Sequence, residues 1–194
     1  MTELRRRVAA VSGAGASVVS LGGIAAAVAL APWFSVTGNA LSDLGVADAA
    51  AVAAAFNWGL ILAGLVGLPY AWALWTAGDD VGGRLLAVEF AAAMLLMAGV
   101  GVFPSDSPLH FPVALGFYLA VTVVFVTDGL RRRRATAGRV GLAFAVGHLG
   151  QWWLYVAGVR LGPGLAIPEL VGAGLLIAWV LAVSPVAPVD PFDG

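Results

Sequence analysis

VAAVSGAGASVVSLGGIAAAVALA, residues 8–31, is a run of 24 residues without a single acid or base. A helix needs roughly 20 predominantly apolar residues to cross the hydrocarbon core of a bilayer, and this run supplies them. Five more follow. No Asp, Glu, Arg or His lies between Asp48 and Asp79 or between Glu89 and Asp106. The stretch from Asp106 to Asp128 holds only His110 and Tyr118 as titratable side chains. Those from Arg139 to Arg160 and from Glu169 to Asp190 contain no charge, with His148 the one histidine among them. Helices are the expected form, because every backbone amide in hydrocarbon needs an internal partner. The expected fold is therefore all-α: a polytopic six-transmembrane-helix bundle with spans at 8–31, 50–76, 85–103, 109–127, 140–158 and 167–186. Residues 1–186 form one domain in this reading, and 187–194 a short tail.

Hydrophobic residues make up 61% of the chain and charged residues 11%, which excludes an ordinary soluble domain. The spans and their connectors use nearly all 194 residues, so any chemistry must sit among the helices or at their ends. A net charge of −1 gives no footing for nucleic acid. Cysteine is absent, which removes disulfides, thiolate metal sites and cysteine nucleophiles. Arg5-Arg6-Arg7 ahead of an apolar run resembles a signal peptide, but the run exceeds the ~7–15 residues of a signal core; a retained first helix is expected.

Arginine placement predicts orientation. With the amino terminus inside, nine of the ten arginines fall on the inner side and only Arg160 outside. Both termini are then cytoplasmic, in a multi-pass protein of the cell membrane. Membrane lipids are the expected partners, with a second copy or another membrane protein also open. Ser12, Ala16 and Ser20, with Gly13 and Ser17 beside them, and glycines at 59, 64, 67, 99, 101, 147 and 150 predict close helix packing. Pro32, Gly78 and Pro104 mark span ends, and Ser107-Pro108 reads as an N-cap followed by a first-turn proline.

The outer side then collects the polar residues. In Asn39-Ala-Leu-Ser-Asp-Leu-Gly45, Asn39 is placed to cap a single helical turn carrying Ser42 and Asp43, with Gly45 as its left-handed terminator. Asp106 and His110 lie close together after the third span. His148 sits in the middle of the fifth, where ionisable groups face the protein interior. Gln151, Trp152 and Tyr155 continue its stripe. Asn57 reads as a hydrogen bond between helices, and Glu169 as the surface ion-pair partner of Arg160. Asp43, Asp106 and His110 are the catalytic candidates, as acid/base or metal-binding carboxylates and a base; a Ser42–His110–Asp106 triad can be drawn on paper. His110, His148 and Asp106 are the candidate ligands for zinc or another divalent ion, without any close ligand motif. Asn39, Ser42, Asn57, Gln151 and Glu169 complete the polar set. The cofactor, if any, is left open, and no Walker-type phosphate loop is present.

Two segments carry a resemblance. Asn39-Ala-Leu-Ser-Asp-Leu-Gly45 resembles the Asn-x-(Ile/Leu)-Ser-(Asp/Glu)-Leu-Gly motif after the first helix in the family labelled domain of unknown function 998. Gly101-Val-Phe-Pro-Ser-Asp106 with His110 behind it is similar to that family's second hallmark, and Phe56-Asn-Trp-Gly-Leu60 fits its second helix. The resemblance implies a prokaryotic six-helix membrane protein and brings no activity with it. Three functional readings follow: a pocket on the outer-leaflet side that binds or hydrolyses a lipid or isoprenoid, a non-catalytic membrane scaffold or subunit, and a small proton-coupled carrier using His148 and Asn57.

Overall fold

The computed structural model describes residues 2–189, 191 and 192. Those residues form a helical bundle with no strand. Its elements are α1 (Glu3–Leu30), a 3-10 turn η1 (Leu41–Val46), α2 (Ala50–Ala77), α3 (Val81–Val102), α4 (His110–Arg131), α5 (Thr136–Val156) and α6 (Ala166–Ala178), which runs on as the π-helical turn η2 (Trp179–Val183). Five of these helices, α6 being counted through η2, are long and apolar enough to cross a membrane. The fifth helix has sufficient length at 21 residues, but Arg139, His148 and Gln151 lower its hydropathy below that of the other five.

The helices outrun the uncharged stretches at the arginine-rich end because polar side chains can cap them. Thr2 caps α1 by accepting the Arg5 N–H, and Asp80 caps α3 by accepting that of Gly83 at 2.6 Å. The Gly83 amide, and then the Arg131 guanidinium at 2.8 Å, hold the Asp80 carboxyl below the usual carboxylate range. At α4 the expected cap is corrected. The Ser107 hydroxyl accepts only the Leu109 N–H, and the helix begins at His110 without a side-chain cap.

Sequential helices are spatial neighbours from α1 to α5. The α1–α2 crossing depends on absent side chains: a Cβ on Gly23 would lie 2.7 Å from the Gly59 Cα. Between α2 and α3, a Cβ on Gly64 would lie 2.8 Å from that of Ala98. Gly147 and Gly150 do not join this pattern, since a Cβ on either would meet no neighbouring element within 4 Å. The hydroxyls of Ser12, Ser17 and Ser20 turn back to carbonyls of their own helix, which lets polar side chains sit in an apolar face. Around the outside, large apolar residues such as Val11, Val18, Val146 and Trp153 are 70% exposed or more. In water such a ring would be an association surface; in lipid it is the expected boundary.

Beyond η2 the chain stays on the bundle. Val186 is buried, Phe192 packs against the core, and the Val189 N–H donates to the Leu181 carbonyl. Asp190, Asp193 and Gly194, part of the expected tail, lie outside the described residues.

Candidate functional site

Two irregular segments meet at the end of the bundle where α1 stops. Gly164 and Ala166 donate their N–H groups to the carbonyls of Thr37 and Asn39, each at 2.9 Å. The turn that permits this needs glycine at 158 and 162, where φ is +85° and +144°, a region that L side chains rarely enter. The loop before α6 is thereby docked on the segment after α1.

Side chains hold that segment from within. Asn39 Oδ1 accepts the Ser35 N–H at 2.9 Å, while its Nδ2 donates to Asp43 Oδ2. The same Asp43 oxygen accepts the Ala40 N–H at 3.0 Å. The expectation for this turn is thus corrected: Asp43 secures its start, and Asn39 braces the loop ahead of it. Gly45 is not left-handed either. It is small because Asn57 lies against it, donating from Nδ2 to the Gly45 carbonyl at 2.9 Å; a Cβ there would come within 2.6 Å of Asn57 Oδ1. Asn57 therefore ties α2 to η1 instead of to another long helix.

Glu169, in the first turn of α6, does not pair with Arg160. Its Oε2 accepts the Leu41 N–H at 2.6 Å, and the Arg160 guanidinium sits over the Tyr155 ring at 5.4 Å. The Leu41 amide has no intrahelical partner at the start of η1, and a carboxylate is a strong acceptor for it. From there Glu169 reaches a cavity of about 80 Å³. Ser42, His110 and Tyr118 line the same space, and the remaining walls are mainly apolar, with Phe56 and Met97 among them. His110, Ala114, Phe117 and Tyr118 present one face of α4 to it, the spacing of an amphipathic helix.

His110 is oriented by the backbone. Its Nδ1 lies 2.7 Å from the Phe103 carbonyl, and a carbonyl only accepts, so Nδ1 carries the proton and Nε2 is left free. Asp106 takes no part, being exposed and bonded to none of the described residues. The paper triad of Ser42, His110 and Asp106 is not assembled. Neither the Ser42 nor the Tyr118 hydroxyl has a hydrogen-bond partner among the described residues.

His148 is fully buried but lies outside this cavity. Thr122 Oγ1 donates to the Tyr118 carbonyl at 3.0 Å, so the His148 Nδ1–H must donate to Thr122, 2.8 Å away. Its Nε2 has no partner and abuts Gly172 and the Tyr118 ring. Gln151 donates to the Pro168 carbonyl at 3.2 Å, and Tyr155 to that of Pro163 at 2.6 Å. The stripe on α5 thus fastens α5 to the start of α6. No group of three or more His, Asp and Glu converges among the described residues, and His110, His148 and Asp106 stand apart.

A second polar cluster, at the arginine-rich end, was not foreseen. Asp128 is fully buried and accepts from Arg132 Nε at 2.7 Å, from a second Arg132 nitrogen, and from Trp179 Nε1 at 2.8 Å. Arg132 also donates to the Val183 carbonyl, Tyr70 donates to that of Val180, and Ser184 bonds the Tyr70 hydroxyl. Two η2 carbonyls are thus engaged by side chains, and the Ser184 N–H reaches back five residues to Trp179 at 2.8 Å, the spacing of a π turn. The Asp128–Arg132 spacing of four is a legible helix pair; the run of arginines concealed it by reading as a topology signal alone.

No curated protein and no solved structure matches this chain. One family model does, over residues 14–185, and it bears the description Protein of unknown function (DUF998). With nearly the whole bundle inside that match, the chain belongs to the DUF998 family.

Proposed function

We propose that this is a six-span protein of the cell membrane, with both termini cytoplasmic, that binds the polar end of a lipid-like amphiphile on its outer-leaflet side. The orientation rests on the nine-to-one arginine bias and the positive-inside rule. Taking α5 as the remaining span keeps successive connections on alternate sides, and its polar groups turn toward α6 and α4 instead of lipid.

The observation that carries the binding reading is the composition of one cavity. Ser42, His110, Tyr118 and Glu169 line about 80 Å³ of otherwise largely apolar space. Two hydroxyls and an imidazole nitrogen there have no hydrogen-bond partner among the described residues and are open to whatever fills the space. A ligand bearing a hydroxyl or similar donor would match them. The volume is about half that of an engineered apolar cavity that admits benzene, so it suits the end of an amphiphile and not a whole lipid. Hydrolysis receives less support, because nucleophilic attack needs serine and base within hydrogen-bond reach, and Ser42 and His110 are not bonded. The carrier reading receives little: Asn57 and His148 each hold a neighbour through one nitrogen, and both lie outside the cavity.

A second reading, a scaffold, is favoured by Asn39, Asp43 and Asn57, whose bonds fasten the connecting segments. The two readings part on Ser42 and His110. Protein purified from membranes in mild detergent is extracted, and its co-purifying lipid is quantified by mass spectrometry. Ser42→Ala and His110→Ala should each lose bound amphiphile several-fold with little change in melting temperature. Equal retention by both variants would sink the binding reading. Loss of folded protein in both would favour the scaffold.

A further inference from the structure

The cavity that Glu169 reaches is one-sided in its chemistry. No arginine lines it, and each polar side chain that does offers a lone pair. Glu169 contributes a carboxylate whose Oε2 holds the Leu41 N–H at 2.6 Å and whose Oε1 has no partner among the described residues. His110 contributes Nε2, because its Nδ1–H is taken by the Phe103 carbonyl. The ring stands at the start of α4, and a helix N-terminus disfavours positive charge, so Nε2 stays an acceptor. Ser42 and Tyr118 each add a hydroxyl oxygen. The Leu41 amide, a donor that an anion would seek, is already occupied by Glu169.

The surroundings have the same sign. The segments that close this end of the bundle carry Asp43, Asp48 and Asp106 besides Glu169, against Arg160 alone. Arg160 lies over the Tyr155 ring, outside the cavity. Asp43 is near enough for its charge to act on Glu169. A carboxylate with a free oxygen in largely apolar space calls for a cation or a proton. The walls favour the cation: Phe56, Phe117 and Tyr118 line the same space, and aromatic faces attract an ammonium that comes within about 6 Å.

Size narrows the class. An engineered apolar cavity of about 150 Å³ admits benzene, which has six non-hydrogen atoms. At about 80 Å³ this one holds roughly three by the same measure. A primary ammonium on two methylenes has three. A trimethylammonium on any stem has at least five.

We infer that this cavity takes the primary ammonium end of an amphiphile, with the Glu169 carboxylate as counter-ion and Ser42, His110 and Tyr118 supplying acceptors for its other N–H bonds. This rests on the binding reading above and names the head group that the reading leaves open. A phosphate or carboxylate head is excluded, because the cavity holds no positive charge to meet it.

The test uses the whole protein in a neutral detergent at neutral pH, with four ligands that share one eight-carbon chain: octylamine, octanol, octanoate and trimethyloctylammonium. Binding is read by calorimetry against protein-free micelles. Octylamine should bind about tenfold tighter than octanol, the margin of a charged over a neutral hydrogen bond, and tighter than the other two. Glu169→Gln, whose oxygen still accepts the Leu41 N–H, should cancel that margin while leaving octanol within about twofold of wild type. Phe117→Leu should weaken octylamine several-fold more than octanol. Ethylamine, the head without the tail, should bind weakly; binding equal to that of octylamine would keep the ammonium and overturn the amphiphile.

Octanol binding as tightly as octylamine, with the order unmoved by Glu169→Gln, would show Glu169 to carry a proton. That result, or a preference for trimethyloctylammonium or octanoate, would overturn the assignment and leave an amphiphile site standing. Failure of all four to bind wild type would instead overturn the binding reading on which it rests. Should either variant not fold, the ranking of the four ligands on wild type decides alone.

Discussion

Asp128 and Glu169 are both carboxylates set among apolar helices, but Asp128 is bonded on both oxygens and Glu169 on one. Around Asp128, an arginine, an indole N–H, a phenol, a serine and two backbone carbonyls are all matched within the protein. Around Glu169, the hydroxyls of Ser42 and Tyr118 and the second nitrogen of His110 face a cavity without protein partners. A polar group buried among helices has to be satisfied by something. Where the protein supplies the partner, the group is architecture; where it leaves a space, a ligand or water must supply it. The difference separates a lock that holds α6 and η2 at the arginine-rich end from the proposed site at the other.

That contrast can be broken most forcefully at the lock. Asp128→Ala leaves the partly buried Arg132 without its carboxylate and the buried Trp179 N–H unmatched. Breaking one side of a buried pair costs about 3–5 kcal/mol, an upper bound here because Arg132 still reaches solvent. A large fall in melting temperature is expected, accompanied by easier proteolysis near Ser184; a melting curve like that of wild type would show that the cluster is not a lock. Gly45→Ala probes the brace between η1 and α2. The new methyl would meet Asn57 Oδ1 at 2.6 Å, and overpacking of this kind costs about 1–3 kcal/mol, readable as an intermediate loss of stability. Asp106→Asn gives the smallest effect. Its carboxylate is exposed and unbonded, so stability should stay within about 0.5 kcal/mol of wild type and the bound amphiphile should be unchanged. A lost ligand in that variant would return Asp106 to the site.

The bundle was legible because lipid imposes a simple rule: long uncharged runs must be helices, and their ends fall near the charges. The irregular segments were partly legible. Asn39, Ser42, Asp43 and Gly45 stood out as turn residues, and they do form a turn, but Asn39 and Asp43 exchange the roles expected of them because Asp43 can reach two donors at once. Glu169 was misread as half of a surface ion pair with Arg160. Its real partner, the Leu41 amide 128 residues earlier, is a backbone group, and no side-chain pattern announces it. Asp106 and His110 are close in sequence but do not bond, since the Phe103 carbonyl takes the His110 Nδ1–H. Tyr118 could have been recognised from its spacing of eight from His110, on the same face of α4. The partnership of Asp128 with Trp179 could not, because it joins two helices that no local pattern relates.

The most direct test of the central contrast is Glu169→Gln, measured for melting temperature and for co-purified amphiphile beside wild type. The glutamine oxygen can still accept the Leu41 N–H, so the fold should hold while the chemistry of the cavity changes. The account predicts a near-normal melting temperature with a several-fold loss of bound amphiphile. A variant that keeps its full amphiphile, or one that unfolds with no ligand present in wild type to lose, would contradict it.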